Sequence, residues 1–123
     1  MITRNYSGDR AYRQSKLAQI LFTFDLAEHL AGKGVTVNCL HPATYMATTM
    51  VREAGVEPIN TVETGGNAIL NLATASEFET RTGLFFDVTR ESRAKDQAYD
   101  EAARARLWSL SADLCGLPED LAI

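Results

Sequence analysis

Residues 12–42 read YRQSKLAQILFTFDLAEHLAGKGVTVNCLHP. The spacing of apolar residues changes once inside this stretch. From about Ala11 to Ala31, Leu17, Ile20, Leu21, Phe24, Ala27 and Leu30 recur at three- and four-residue steps, which lays one broad apolar face along a helix. Gly32 and Gly34 supply the stop. Val35 to Leu40 (VTVNCL) is short, β-branched and largely apolar, the composition of a strand buried on both faces in a parallel sheet. His41-Pro42 ends it. A helix feeding such a strand through a short glycine loop is half of a βαβ unit, so the expected class is α/β.

The flanks extend the pattern. Residues 1–10 are polar turn chemistry, with Asn5, Ser7, Gly8 and Asp9. Ala43 to Gly55 reads as a loop running into a short helix. Thr61 or Thr64 caps a further helix that runs to about Ala75 through Ala68, Ile69, Leu72 and Ala73, with Gly65-Gly66 weakening its first turn. Gly83 to Val88 (GLFFDV) reads as a second strand. A polar segment then leads to a last helix, roughly Tyr99 to Leu114, stopped by Gly116 and Pro118. The charge-rich run from Arg90 to Arg106 is expected to be solvated, His29 to lie late on its helix in favour with the dipole, and Trp108 to anchor the last helix. No repeat or linker divides residues 1–123, which read as one partial domain. Two parallel strands cannot close a core between helices, and such sheets usually hold about five or six. The expectation is a fold whose earlier strands lie outside this sequence.

Composition narrows the function classes. The 123 residues are 46% hydrophobic and 23% charged, an ordinary soluble mix. The formal net charge is −4 with acids and bases interspersed. There is no basic stripe for nucleic acid and no basic amphipathic face for a membrane surface. No apolar run approaches the ~18 residues of a membrane span, and MITRNYSGDR has no signal-peptide core. The expected location is the cytoplasm. Cys39 and Cys115 have no Cys-x-x-Cys spacing and no ligand-spaced histidine, so they read as idle thiols and no metal site is expected.

One pair carries chemistry. AYRQSK places Tyr12 and Lys16 four residues apart at the start of the long helix, on one face. A free phenol is a poor proton donor or acceptor at neutral pH, and a cation one turn away favours its phenolate. That combination suits general acid–base work. By itself the spacing is common and more often describes an exposed pair decorating a helix start.

The context is more specific. Tyr12-x-x-x-Lys16 opens a helix that ends at glycines, enters VTVN and leaves at His-Pro, with Asn38-Cys39-Leu40-His41-Pro42-Ala43 following. This arrangement resembles the short-chain dehydrogenase/reductase family, in which an active-site Tyr-x-x-x-Lys helix precedes a strand ending in Asn-x-x-x-Pro-Gly. The wording RAYRQSKLAQILFTFDLAEHL and VNCLHPATYM looks like the branch holding retinol-dehydrogenase-like oxidoreductases. The resemblance runs from about Tyr6 to Gly116. It implies the C-terminal part of a Rossmann-type doubly wound parallel sheet with helices on both faces, the N-terminal strands absent. It also implies an NAD or NADP cofactor and a small-molecule alcohol or carbonyl, lipophilic in kind. Tyr12 would be the general acid/base; Lys16 would favour its phenolate and hydrogen-bond the nicotinamide ribose. Pro42, Ala43 and Thr44 would form the loop that meets the nicotinamide carboxamide. Ala43 replaces the family's glycine, and Ala47 stands where threonine is expected, a role Thr48 would take through a one-residue shift.

The same resemblance marks what is missing. No Gly-x-x-x-Gly-x-Gly turn occurs to cradle a pyrophosphate. The family's serine belongs about a dozen residues before the tyrosine, and Ser7 lies too close to Tyr12 to replace it. Two readings follow. One is a segment of an NAD(P)-dependent oxidoreductase, inactive as these 123 residues alone. The other is a non-catalytic remnant or interaction module that self-associates through the 12–31 helix; the intact family uses that helix for subunit contact as well, so a homo-oligomer is expected on either reading.

Overall fold

The computed structural model describes residues 5–43, 49–55, 57 and 60–120. Its helices are α1 (Gly8–His29), α2 (Thr49–Glu53), α3 (Val62–Thr74) and α4 (Glu101–Cys115), and its strands β1 (Cys39–His41), β2 (Phe85–Asp87) and β3 (Arg90–Ser92). Short 3-10 turns, Ser76–Phe78 and Asp96–Tyr99, follow α3 and precede α4.

Each long helix begins and ends on residues chosen by backbone need. Ser7 caps α1, its hydroxyl accepting from the Arg10 amide at 3.2 Å. Asp9 lies in the positive first turn and His29 in the negative last turn. The chain then reverses through Gly32 and Gly34, both at positive φ (77° and 72°), which an L side chain enters only with strain. For α3 the cap is Thr61, which accepts from the Thr64 amide; Thr64 lies inside the helix, its hydroxyl 3.0 Å from that of Thr61. Asp100 caps α4, and Gly116 closes it in the left-handed conformation.

The sheet order is β1-β2-β3. β1 and β2 run parallel, with Cys39 opposite Phe85 and His41 opposite Asp87. β3 is antiparallel to β2, Asp87 opposite Arg90. This corrects the expectation of a purely parallel sheet: the polar segment after Val88 doubles back as a hairpin rather than running directly to the last helix. The first strand is also shorter and less buried than VTVNCL suggested. Val35 is exposed and residues 37–40 are only half-buried, because among the described residues β1 has β2 on one side and no strand on the other. Val37 still tethers the chain, its amide donating to the Thr82 hydroxyl and its carbonyl accepting from the Gly83 amide at 2.8 Å.

Successive strand residues face opposite sides of a sheet. Phe85 and Cys39 face α1, where Leu21, Phe24, Ala98 and Ala103 form the main core with Leu17, Ile20 and Leu107 around it. Leu21, Phe24, Ala27 and Leu30 are all buried, the stripe read from the sequence. Leu21, Phe24 and Leu30 each stabilise the fold by about 1.5–3 kcal/mol through this burial. Phe86 faces the other way and meets Phe78 edge-on, ring centroids 5.2 Å apart. Helical segments therefore lie on both faces: α1 and α4 on one, the turn after α3 on the other.

The last helix corrects a second expectation. Arg104, within the run read as solvated, is buried, with Nη2 2.6 Å from Glu28 Oε1, Nη1 donating to the Ala98 carbonyl and Nε 3.5 Å from Asp25 Oδ1. Trp108 does anchor α4: its ring stacks on His29 at 4.3 Å and on Phe22 at 5.8 Å, and its N–H donates to the Glu119 carbonyl. His29 accordingly does more than face the dipole; it holds the Trp108 face, its Nδ1 2.8 Å from the Asp25 carbonyl oxygen.

Candidate active site

Tyr12 and Lys16 stand one turn apart near the start of α1. The Ser7 cap and the exposed Asp9–Arg13 pair hold this end in helical form. Lys16 Nζ lies 5.5 Å from the Tyr12 ring centroid, a cation against the ring rather than against the hydroxyl. Both side chains are open to solvent, Tyr12 at 54% exposure. Among the described residues nothing covers the pair.

Topology decides which end of the sheet they occupy. α1 is joined to β1 by a tight reversal, so the two run in opposite directions. The Cβ that Gly83 lacks would meet Ala27 at 3.5 Å, which fixes the late part of α1 beside the start of β2. The helix then runs back about 16 Å from Ala27 to Lys16, while the strand runs forward about 13 Å from Gly83 to Asp87. Lys16 and Tyr12 thus come level with, and just beyond, the carboxyl ends of β1 and β2. Pro42 and buried Ala43 follow β1 at that same end. Open α/β sheets bind their ligands there. The structure brings Tyr12 and Lys16 to each other and shares one sheet end with Pro42 and Ala43 through topology, not through a side-chain contact. Thr44 and Thr48 lie outside the described residues.

Two ties between the strands were not foreseen from the sequence, Asn38 at the amino end of β1 and Val88 beyond the carboxyl end of β2. Asn38 bridges the strands: its Nδ2 donates to the Arg81 carbonyl at 2.8 Å and its Oδ1 accepts from the Leu84 amide at 3.0 Å. Its place in VTVN concealed this, since a polar residue in a buried strand signals only that it needs partners. Val88 donates its amide to the His41 carbonyl at 2.8 Å, directly before Pro42. Cys39 faces α1 between them. Burial pushes its thiol pKa above the ordinary value, and a hydrogen bond with Thr23 pulls partly the other way.

The remaining features do not compete for the chemistry. A shallow cavity of about 350 Å³ is lined by Phe24, Ala27, Glu28, Thr82, Tyr99 and Arg104. It opens near the amino end of β2, far along α1 from Tyr12. No group of three or more potential metal-ligating side chains gathers among the described residues. None of the described helices is long and apolar enough to cross a membrane.

The chain matches no protein-family model. It is 35% identical to Retinol dehydrogenase 13 from Homo sapiens over 94% of its own length and 39% of that protein's. Retinol dehydrogenase 11 from Homo sapiens is 36% identical over 94% of this chain and 39% of its own length. For Retinol dehydrogenase 14 from Homo sapiens the figures are 33%, 93% and 38%. The chain spans about two fifths of the length of these curated relatives, matching their C-terminal portion. Over nearly its whole length the chain is similar to the C-terminal portion of these retinol dehydrogenases, which are members of the short-chain dehydrogenase/reductase family.

Proposed function

We propose that this chain is the catalytic-helix portion of an NAD(P)-dependent oxidoreductase that interconverts an alcohol and a carbonyl, and that its fold is the later part of a Rossmann-type doubly wound sheet. The observation that carries the reading is the arrival of Tyr12, Lys16, Pro42 and Ala43 at one carboxyl end of the sheet. Their chemistry fits the nicotinamide-ribose end of a dinucleotide: an ammonium and a phenol for ribose hydroxyls, and loop backbone for a carboxamide. The pyrophosphate end has no counterpart in these residues. The glycines at positive φ, such as Gly32, Gly34 and Gly83, serve a helix end and strand entries instead. The cofactor, when bound, supplies or accepts hydride.

The chain's own part is proton transfer and orientation. Tyr12 holds its hydroxyl toward the substrate oxygen and gives it a proton as a carbonyl is reduced, or takes one as an alcohol is oxidised. Lys16 keeps a positive charge one helical turn away and offers its ammonium to the ribose hydroxyls. Pro42 and Ala43 would offer loop backbone to the nicotinamide carboxamide. Cofactor preference and substrate follow from the rest of such an enzyme; the names of the relatives favour a lipophilic, retinol-like alcohol.

Because Tyr12 and Lys16 are open to water and no phosphate cradle is present, the 123 residues alone are inactive and bind NAD(P)H weakly. The test has two arms. The chain alone is assayed for retinol oxidation with either cofactor, and no turnover is expected. Joined in frame behind the first portion of a relative, it should turn over, and Tyr12→Phe should lower kcat by at least about 10²-fold. Turnover retained in that variant removes Tyr12 from the mechanism.

A second reading, self-association without catalysis, draws on apolar side chains left in solvent: Phe22 on α1, and Leu110 and Leu114 on α4. Light scattering that shows a monomer at micromolar concentration would dispose of it.

A further inference from the structure

Val88 is held where valine does not belong. Its φ is +57°, and among the described residues the only other non-glycine with positive φ is Asn5, a residue type that tolerates it. Asp87 pairs with Arg90, so Val88 and Thr89 are the whole two-residue loop of the β2–β3 hairpin. Such loops favour glycine, asparagine or aspartate at a first position with positive φ, because a β-branched side chain crowds the backbone there. Strain of this kind persists only where the surroundings over-determine it, and it concentrates at functional sites.

The Val88 amide continues the β1–β2 ladder one rung past Asp87, donating to the His41 carbonyl at 2.8 Å. The positive φ reverses the chain immediately after that rung, so β3 begins without the bond being given up. His41 precedes Pro42, so its backbone is already confined to extended forms. Pro42 has its own φ locked near −65°. One hydrogen bond on the His41 carbonyl therefore holds the peptide plane entering Pro42, from which Ala43 follows. Half-buried Val88 contributes a stiff χ1 where glycine would leave the turn free to swing.

We propose that Val88 is a positioning residue: its strained turn aims the Pro42–Ala43 loop at the ligand end of the sheet. The purpose rests on the cofactor reading given above; the mechanical link does not. Both can be measured on the full 123-residue chain by amide hydrogen exchange and NMR. In Val88→Gly, exchange at position 88 and at Ala43 should quicken about tenfold while amides in α4 keep their rates. Val88→Ile, which keeps the branched side chain, should restore slow exchange at both. Unchanged exchange in Val88→Gly, or fast exchange in Val88→Ile, overturns the positioning role. Millimolar NADH added to the unsubstituted chain should shift the Ala43 amide signal, and the shift should shrink in Val88→Gly. Absence of any shift at Ala43 in the unsubstituted chain overturns the purpose assigned to the turn, whereas the cofactor reading itself stands or falls on turnover by the chimera.

Discussion

Arg104, on the last helix, lies 3.5 Å from Asp25 of the first, and both side chains are largely withdrawn from solvent. Nε of Arg104 has no hydrogen-bond partner, so the pair is held by charge rather than by a made bond. Glu28, on the same helix and far more exposed, takes Nη2. The guanidinium thus ties α4 to α1 at the end away from Tyr12.

Removing one member of a buried pair leaves the other charged and dry, a loss of about 3–5 kcal/mol. Arg104→Met should therefore lower the urea midpoint sharply, while Asp25→Asn in the same chain should recover most of the loss. A double-mutant cycle measures the coupling. Additive losses from the two changes would mean that the pair does not act as a unit. Glu28→Gln, at the solvent edge, should cost at most about 1 kcal/mol.

How far the sequence disclosed this arrangement depends on which signal each residue carried. The stripe Leu21, Phe24, Ala27 and Leu30 was legible because burial of one helical face repeats every three to four residues. Both parallel strands were legible from composition, though VTVNCL looked more buried than it is with β2 alone beside it among the described residues. Arg104 was not legible, since charge density in a window does not tell which member turns inward; only the positions of Asp25 and Glu28 in space do. The β2–β3 hairpin was missed because its turn is Val88-Thr89, which carries none of the glycine or asparagine that announces such loops. Tyr12, Lys16, Pro42 and Ala43 could be named from the resemblance. Their convergence needed the reversal at Gly32–Gly34 and the close approach of Ala27 to Gly83.

The turn at Val88 makes a prediction contrary to the usual ranking of small residues. A left-handed conformation costs an L-residue about 1–2 kcal/mol, and glycine's extra freedom when unfolded costs about 0.5–1 kcal/mol. Val88→Ala keeps the strain and loses the half-buried side chain. Val88→Gly loses the same side chain but relieves the strain, so it should be more stable than Val88→Ala by about 0.5–1 kcal/mol. Thermal melts of the two variants decide this, and alanine ahead of glycine would mean that the turn is not left-handed in solution.

The two cysteines should separate by reactivity. Cys115 is exposed, whereas Cys39 is half-buried with its thiol pKa raised by desolvation. Thiolate is the nucleophile, so iodoacetamide near neutral pH should label Cys115 first and Cys39 slowly. The raised value also sets a sign for stability. The folded state keeps its proton while the unfolded thiol begins to lose one from about pH 8.5. The contribution of Cys39 is therefore fully present below that pH and is lost as pH rises toward its folded value. Cys39→Ala should abolish this part of the alkaline decline, measurable in urea titrations at successive pH values.

Tyr12 and Lys16 should matter little to folding, and that contrast bears on what they are for. The ring and the ammonium are 5.5 Å apart on the surface of α1, and a contact of that kind contributes about 0.5–1 kcal/mol at an exposed site. Tyr12→Phe keeps a ring beneath Lys16, and Lys16→Met keeps a good helix former in place. Each variant should stay within about 0.5 kcal/mol of the unsubstituted chain, as surface changes away from caps and cores usually do. In the full-length chimera the same two substitutions should cost most of the turnover. Equal losses of stability and activity would make the pair a structural feature of the helix. Activity lost with stability kept places the pair where chemistry, rather than packing, holds it.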